Sequence, residues 1–285
     1  VYTAPITGTV EWEVRVHRFM VALGLIGCAG AEDPEAVDPS PDESLCLLVR
    51  AEAGVQFPGG ELEMDTVWEY TYDDAYGLVQ LVQLSQDEVT GTWIYEPGPH
   101  GPLRRESTRN ERLLDVYVWT YDDEGHVVER LADLDGDGTW DERSPATYED
   151  GLLQEQRRDD GDDGTDDVVW LYTYVDGLRD EVTVDVGLDG VIDERARYTY
   201  DAQGREVLRE TDQGDDGIFE RRVQNLWRDD LLTRTWTELF GVQESQEDYT
   251  YDGLGNLVRT DRDPFGDGLI TEVRTQTWEC GISGP

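Results

Sequence analysis

The residues best suited to chemistry are carboxylates, and the densest group lies in one short loop. Residues 133–141 read DLDGDGTWD, which has the form DxDxDGxxD. A hard cation such as calcium takes six to eight oxygen ligands, and the glycine at position 6 permits the sharp turn that such a loop needs. The pattern predicts a calcium site whose ligands are Asp133, Asp135, Asp137, Thr139 through its backbone carbonyl, and Asp141.

Three related loops keep part of this pattern but lack the carboxylate at the third position. Their candidate ligands are Asp159, Asp163 and Asp167 in the first, Asp185, Asp189 and Asp193 in the second, and Asp212, Asp216 and Glu220 in the third. A fifth loop, with Asp263, Asp267 and Thr271, matches less well. A second interpretation stays open, because Asp and Gly also form turns well without any metal.

The loops recur at a fixed period. Gly138, Gly164, Gly190 and Gly217 follow one another at intervals of 26, 26 and 27 residues, and Gly268 follows 51 residues later. An aromatic residue keeps the same period at Tyr72, Tyr95, Tyr121, Tyr148, Tyr174, Tyr200, Trp227, Tyr251 and Trp278. Two independent markers with one period indicate a repeat architecture.

Each repeat has the features of a β-hairpin. Ala196, Tyr198 and Tyr200 fall on one face of an extended segment, while Arg197 and Thr199 fall on the other. The following residues 201–204, Asp-Ala-Gln-Gly, suit a type I turn. The sequence has no apolar stripe of helical period here. The chain is therefore predicted to be all-β, an antiparallel array of about nine hairpins of about 26 residues each.

Two copies carry a resemblance to a known repeat. Residues 198–205 read YTYDAQGR and residues 249–257 read YTYDGLGNL, which resemble the YD repeat of the rearrangement-hotspot (Rhs) and teneurin families. The resemblance covers about residues 60 to 280. It implies hairpins joined edge to edge in a long spiralling sheet, which large members wrap around a C-terminal toxin. This chain is short, so a shell around a toxin is not expected. Loop 133–141 is similar to the calcium loops of EF-hands and of integrin-type propeller hairpins.

The segment before the repeats is predicted to direct export. Residues 16–28 combine His17 and Arg18 with a short apolar run, and Leu25-Ile26-Gly27-Cys28 resembles the lipobox of bacterial lipoprotein signals. The resemblance implies lipid on Cys28, with Ala29 compatible with sorting to an outer membrane. A buried strand or helix is the alternative.

Residues 1–15 are expected to precede the true start of translation, residues 29–45 form an acidic disordered tether, and residues 46–285 form the repeat domain.

The cysteines fit the same compartment. The chain has three, and once Cys28 carries lipid the other two, Cys46 and Cys280, bracket the repeats. In an oxidising compartment these two could form a disulfide. That bridge would require the two ends of the array to meet, so the sheet would curl into a barrel-like closure. Two unpaired thiols on an open spiral remain the alternative.

Charge and composition exclude several classes of function. The net charge is −42 and no lysine is present, which disfavours binding to nucleic acid or directly to anionic lipid. The three histidines, His17, His100 and His126, have no Ser or Cys partner in a recognisable catalytic setting. No phosphate-binding glycine loop is found. An enzyme is therefore not expected.

The function predicted is a non-enzymatic surface lipoprotein that acts as a β-repeat binding or structural scaffold and is stabilised by calcium. Its partner would be an unidentified protein or glycan at the cell surface, and its contact with the membrane would be the lipid anchor only. The expected location is the bacterial cell envelope, as an outer-membrane lipoprotein or a secreted form. The alternative is a protein that binds or cleaves glycans through exposed aromatic side chains and carboxylates.

Overall fold

A computed structural model describes residues 45–57, 61–73, 77–86 and 88–282. These residues contain 18 strands in one sheet and no helix. The strands are β1 Leu45–Gln56, β2 Leu62–Tyr72, β3 Leu78–Ser85, β4 Glu88–Pro97, β5 Pro102–Arg109, β6 Arg112–Tyr121, β7 Val127–Asp133, β8 Glu142–Glu149, β9 Leu152–Asp160, β10 Val168–Val175, β11 Leu178–Val186, β12 Glu194–Tyr200, β13 Glu206–Gln213, β14 Arg221–Arg228, β15 Leu231–Leu239, β16 Val242–Tyr251, β17 Leu257–Asp263 and β18 Glu272–Ile282.

The sheet is an antiparallel meander that closes on itself. Each strand pairs with its neighbours in sequence, and β1 also pairs with β18. This closing seam runs from Leu45 opposite Ile282 to Val55 opposite Glu272. Closure leaves the sheet without an unpaired edge strand. The prediction of a hairpin array that curls into a barrel is confirmed.

The two cysteines of the repeat domain face each other across this seam. Cys46 lies opposite Cys280, with a Cα–Cα distance of 4.1 Å, and the two sulfur atoms are bonded at 2.07 Å. The residues are 234 positions apart in the chain. The bridge therefore joins the first strand of the barrel to the last.

The hairpin turns follow the chemistry of their residues. At two of the turns of the YD type, Gly125 N donates to Asp122 O at 3.2 Å and Gly204 N donates to Asp201 O at 3.0 Å. Both glycines have positive φ, as a turn of this kind requires. The shorter turn at Asp150-Gly151 has positive φ at both residues, 52° and 75°, which suits a two-residue hairpin loop.

The two faces of each strand differ in burial. On β12, Ala196 is buried and Tyr198 is half-buried, while Arg197 and Thr199 on the other face are exposed. Because the inward face of a closed barrel is the less exposed one, we assign the aromatic face to the inside. The buried apolar residues in the described ranges are alanines, valines and one leucine: Ala51, Leu81, Val116, Ala132, Val168, Val182, Val184, Ala196, Val223 and Val273.

Seven of the nine periodic aromatic residues donate a hydrogen bond to the neighbouring hairpin. Tyr174 donates its hydroxyl hydrogen to the carbonyl oxygen of Leu153 at 2.8 Å, and Trp227 donates its indole N–H to the carbonyl of Glu206 at 2.8 Å. In each case the acceptor lies opposite the aromatic residue of the preceding hairpin. We call these residues latch aromatics; they are Tyr72, Tyr121, Tyr148, Tyr174, Trp227, Tyr251 and Trp278.

The latch continues across the closing seam. Trp278 donates to the carbonyl of Leu257 at 2.8 Å, and Tyr72 donates to the carbonyl of Leu48 at 2.9 Å. Leu48 is the residue opposite Trp278 in the seam. The first and last hairpins therefore make the same contact that joins hairpins elsewhere in the ring.

A β-bulge lies next to the periodic aromatic residue. Thr199 lies opposite Leu208, but Tyr200 lies opposite Glu206, so Val207 is an extra residue on the second strand of its hairpin. The same irregularity recurs next to Tyr72, Tyr121, Tyr148, Tyr174, Trp227 and Tyr251. Bulges increase local twist and are frequent at the rims of barrels.

Candidate functional site: the acidic rim

The five acidic loops lie at one end of the barrel. They connect β7 to β8, β9 to β10, β11 to β12, β13 to β14 and β17 to β18. In an antiparallel meander the connections alternate between the two ends, so every odd-to-even connection lies at the same end. We call this end the acidic rim, defined by loops 133–141, 159–167, 185–193, 212–220 and 263–271. The opposite end, which carries turns such as 201–204, is called the turn rim.

The first aspartate of each loop is the centre of a network of backbone hydrogen bonds. Asp133 is 3% exposed, and its carboxylate accepts the N–H of Gly136 at 2.7 Å and of Gly138 at 2.8 Å. Asp159, Asp212 and Asp263 are equally buried and each accept the N–H of the glycine five residues later. Asp185 accepts the N–H of Gly190 at 3.0 Å but is less buried.

The last acidic residue of the loop closes it from the other side. Asp141 accepts the N–H of Leu134 at 2.7 Å. The same contact, at the same distance, is made by Asp167, Asp193 and Glu220 in their loops. These four hydrogen bonds tie the start of each loop to its end, so these carboxylates have a structural role whether or not an ion is bound.

The middle aspartate acts within the loop as well. Asp137 accepts both the N–H of Thr139, at 2.8 Å, and its hydroxyl. Hydrogen bonds from the hydroxyl and the backbone of Thr139 lower the pKa of Asp137 below its usual value. Asp163, Asp189, Asp216 and Asp267 receive the corresponding N–H from the residue two positions later.

Some of the predicted ligands come close enough to share an ion. Carboxylate oxygens of Asp133, Asp135 and Asp141 lie within 4.8 Å of one another, and so do those of Asp212, Asp216 and Glu220. In the described part of the chain no such group of three forms in loops 159–167 and 185–193. The first and fourth loops are therefore the better candidates for a cation.

A third group of possible ligands lies on the turn rim and was not selected from the sequence. It comprises Asp122, Glu124 and His126. The ring of His126 stacks on Tyr148, with centroids 4.6 Å apart, and its Nδ1 lies 2.9 Å from Asp122 Oδ2. Desolvation raises the pKa of Asp122, but hydrogen bonds from the His126 side chain and backbone outweigh it and lower the value.

The acidic loops are joined to one another by short backbone hydrogen bonds. Gly187 N donates to Asp167 O, and Gly214 N donates to Asp193 O, both at 2.6 Å. Phe240, in the turn between β15 and β16, donates its N–H to Glu220 O at 2.6 Å. The rim is consequently a connected row rather than a set of separate loops.

The tyrosines and tryptophans of the described residues offer little exposed surface for stacking. Every Tyr and Trp that the structure describes is half-buried, and seven of the periodic aromatics use their polar atom as a latch. A shallow depression of about 270 Å³ beside loop 133–141 is lined partly by Arg104, Leu113 and Trp140.

Catalytic residues were not predicted, and Cys28 lies outside the described residues. No helix in the described ranges has the length and apolar character needed to cross a bilayer.

Comparison with known proteins gives only distant likenesses of fold. No family model and no curated protein matches this chain. A porin-like protein from Bacteroides uniformis ATCC 8492 superposes on 81% of this chain and 98% of its own length, with a TM-score of 0.45 and 13% identity. The TcdB2-TccC3 structure covers 76% of this chain, which spans 14% of that one, with a TM-score of 0.38 and 11% identity. At these values neither likeness extends to function.

Proposed function

We propose that this chain is a non-enzymatic binding scaffold, a barrel that works outside the reducing cytoplasm and offers its acidic rim to a partner. The pairing of Cys46 with Cys280 across the seam is the observation that carries the proposal. Structural disulfides persist in oxidising compartments and are rare in the cytosol. The proposal includes a cell-envelope location and a lipid anchor on Cys28, with the barrel itself in water.

The charges on the outer face support a barrel surrounded by water. Arg197, 56% exposed, is 3.1 Å from Glu181, and Arg143, 50% exposed, is 2.7 Å from Glu129. A barrel that spans a membrane needs an outward apolar band, and an Arg at the bilayer midplane costs about 2–4 kcal/mol. Anchoring by lipid fits such a wall better than insertion of the strands.

The proposal also includes calcium binding at the acidic rim, chiefly in loop 133–141. Its support is the convergence of Asp133, Asp135 and Asp141 and the preference of calcium for carboxylate and carbonyl oxygens. The ion would add stability to a loop that its own hydrogen bonds already close. The loop 212–220 would be the second site.

Kinship with the Rhs and teneurin repeats belongs to the same proposal. It rests on the Tyr-Asp pairs at 200–201 and 251–252, which begin the turns of two hairpins. Glycan recognition has weaker support, because the described tyrosines and tryptophans are half-buried and seven of the periodic ones serve as latches between hairpins.

The test is expression of the full chain in a Gram-negative host, followed by fractionation and thiol counting. We expect the protein in the envelope fraction, with Cys46 and Cys280 protected from alkylation. Labelling with fatty acid should be lost in Cys28→Ser. Protein retained in the cytoplasm, or alkylation of both Cys46 and Cys280 in the envelope fraction, would overturn the proposal.

A further inference from the structure

Large apolar side chains project from one arc of the acidic rim. They are Val191, Ile218, Phe240, Val242, Phe265 and Leu269, each between 59% and 73% exposed. We call this set the apolar arc. On the turn rim, the exposed large apolar residues in the described ranges are Val175, Leu178 and Leu254. Single exposed apolar residues are ordinary, but a concentration on one surface marks an interaction site.

The arc is continuous along the rim. Loop 185–193 bonds to loop 212–220 through Asp193 O, and loop 212–220 bonds to the β15–β16 turn through Glu220 O. A Cβ placed on Gly266 would lie 2.7 Å from the carbonyl oxygen of Gln243, so loop 263–271 packs directly on the start of β16, beside the β15–β16 turn. Successive loops are separated by two strand spacings, about 10 Å. The tips therefore form one surface.

The apolar side chains are not needed to build the loops. The seventh position is Val191, Ile218 or Leu269 in three loops, and in each its N–H bonds to the carboxylate two residues earlier at 2.9 Å. Thr139 and Thr165 occupy the same position with the same hydrogen bond. A polar residue satisfies this backbone geometry, so the apolar ones call for another explanation.

The surroundings of the arc define the chemistry of its partner. Exposed carboxylates of Asp189, Asp216, Glu244 and Asp267 lie among the apolar tips. The five acidic loops contain no Arg, Lys or His. A complementary surface is apolar at its centre and carries Arg or Lys around it.

We propose that the apolar arc docks a cationic amphipathic polypeptide. This inference rests on the proposed function, because it assigns the binding surface of the scaffold. Burial of the tips supplies the affinity, and the carboxylates select a basic partner and exclude an acidic one. A second copy of the rim or an anionic bilayer would instead bring like charges together.

The test uses synthetic peptides and the full chain, with binding followed by fluorescence anisotropy at physiological salt. The first peptide has Leu and Lys in an amphipathic pattern, and the second has every Leu replaced by Ser at the same charge. Binding of the Leu peptide is expected to be at least about tenfold tighter, since one buried Phe contributes roughly 1.5–3 kcal/mol. Phe240→Ser with Phe265→Ser should abolish this difference, and the turn-rim control, Val175→Ser with Leu254→Ser, should keep it.

Several results would overturn the inference. Two of them concern the peptides: equal affinity for both peptides, or an equal loss of affinity for the Leu peptide in both double variants. The other two point to a different partner: binding to zwitterionic vesicles that depends on the apolar arc, or a dimer of this chain that dissociates only in the Phe variant. Circular dichroism and the state of the Cys46–Cys280 bridge check the fold of each variant. If the peptide test fails while export is correct and the bridge is intact, only the docking proposal is refuted. If the protein is not exported, or if Cys46 and Cys280 are free thiols, the scaffold proposal itself is refuted.

Discussion

Removal of the Cys46–Cys280 bridge should destabilise the barrel without opening it. The change is Cys46→Ala together with Cys280→Ala, which leaves no free thiol at the seam. A cross-link between residues 234 positions apart restricts the unfolded chain, and the chain-entropy relation gives about 5 kcal/mol for a loop of this length. The loss arises chiefly in the unfolded state, because the pairing of β1 with β18 and the contact of Tyr72 with Leu48 do not involve sulfur.

The assay is urea unfolding followed by tryptophan fluorescence and circular dichroism. The double variant should unfold at a clearly lower urea concentration, and wild-type protein in reductant should match it. Reductant should not affect the variant, which provides the control. A loss of less than about 1 kcal/mol in the free energy of unfolding would refute the reasoning that the bridge stabilises by closing a long loop. A lower content of β-structure in the variant without urea would refute the claim that β1 and β18 pair without the bridge.

Three further predictions concern the latch, the acidic loops and the tyrosines. Tyr174→Phe removes the hydrogen bond to Leu153 and should lower the free energy of unfolding in urea by about 0.5–1.5 kcal/mol. Tyr172→Phe is the control and should lower it less, because the Tyr172 hydroxyl has only a 3.4 Å side-chain contact; equal losses of stability would contradict the latch. Calcium at ten times its Kd should stabilise the wild type by about 1.4 kcal/mol in thermal unfolding, and Asp135→Asn should remove most of this gain; an unchanged gain would place the ion elsewhere. Desolvation raises the pKa of Tyr72 to about 12 from 10.0, so the folded state retains a proton that the unfolded state releases. The contribution of Tyr72 to stability is therefore complete below about pH 10 and falls as the pH rises towards about 12. Ionisation of Tyr72 near pH 10 in the folded protein, read from ultraviolet absorbance, would contradict this.

The fold could be predicted from the sequence because its signals are local and repeated. The Asp-to-Gly spacing at 122–125 and 201–204 specifies the turns, and the alternation of Tyr198 and Tyr200 with Arg197 and Thr199 specifies the strands. The latches and bulges could not be predicted in this way. A latch depends on which carbonyl of another hairpin lies within reach, and the extra residue Val207 is revealed only by strand register.

The candidate site could be located but not fully interpreted. Its aspartates stand at positions that suit both a cation and a turn, and the structure shows that Asp133 and Asp141 already accept backbone N–H groups. The sequence pattern did not reveal the apolar arc, because residues such as Phe240 and Phe265 have no common motif. They become neighbours only when the barrel places their loops on one rim.

The central claim, that the chain closes through β1 and β18, can be tested by spin labelling. Native cysteines are replaced by alanine, and nitroxides are placed at Glu52 and Thr275, which lie opposite each other in the seam. Since paired strands are about 5 Å apart, the spectrum of the doubly labelled protein should show strong dipolar broadening. A pair at Glu52 and Thr173, on β1 and β10, should show none. A Glu52–Thr275 spectrum equal to the sum of the two single-label spectra would mean an open spiral and would contradict the closed barrel.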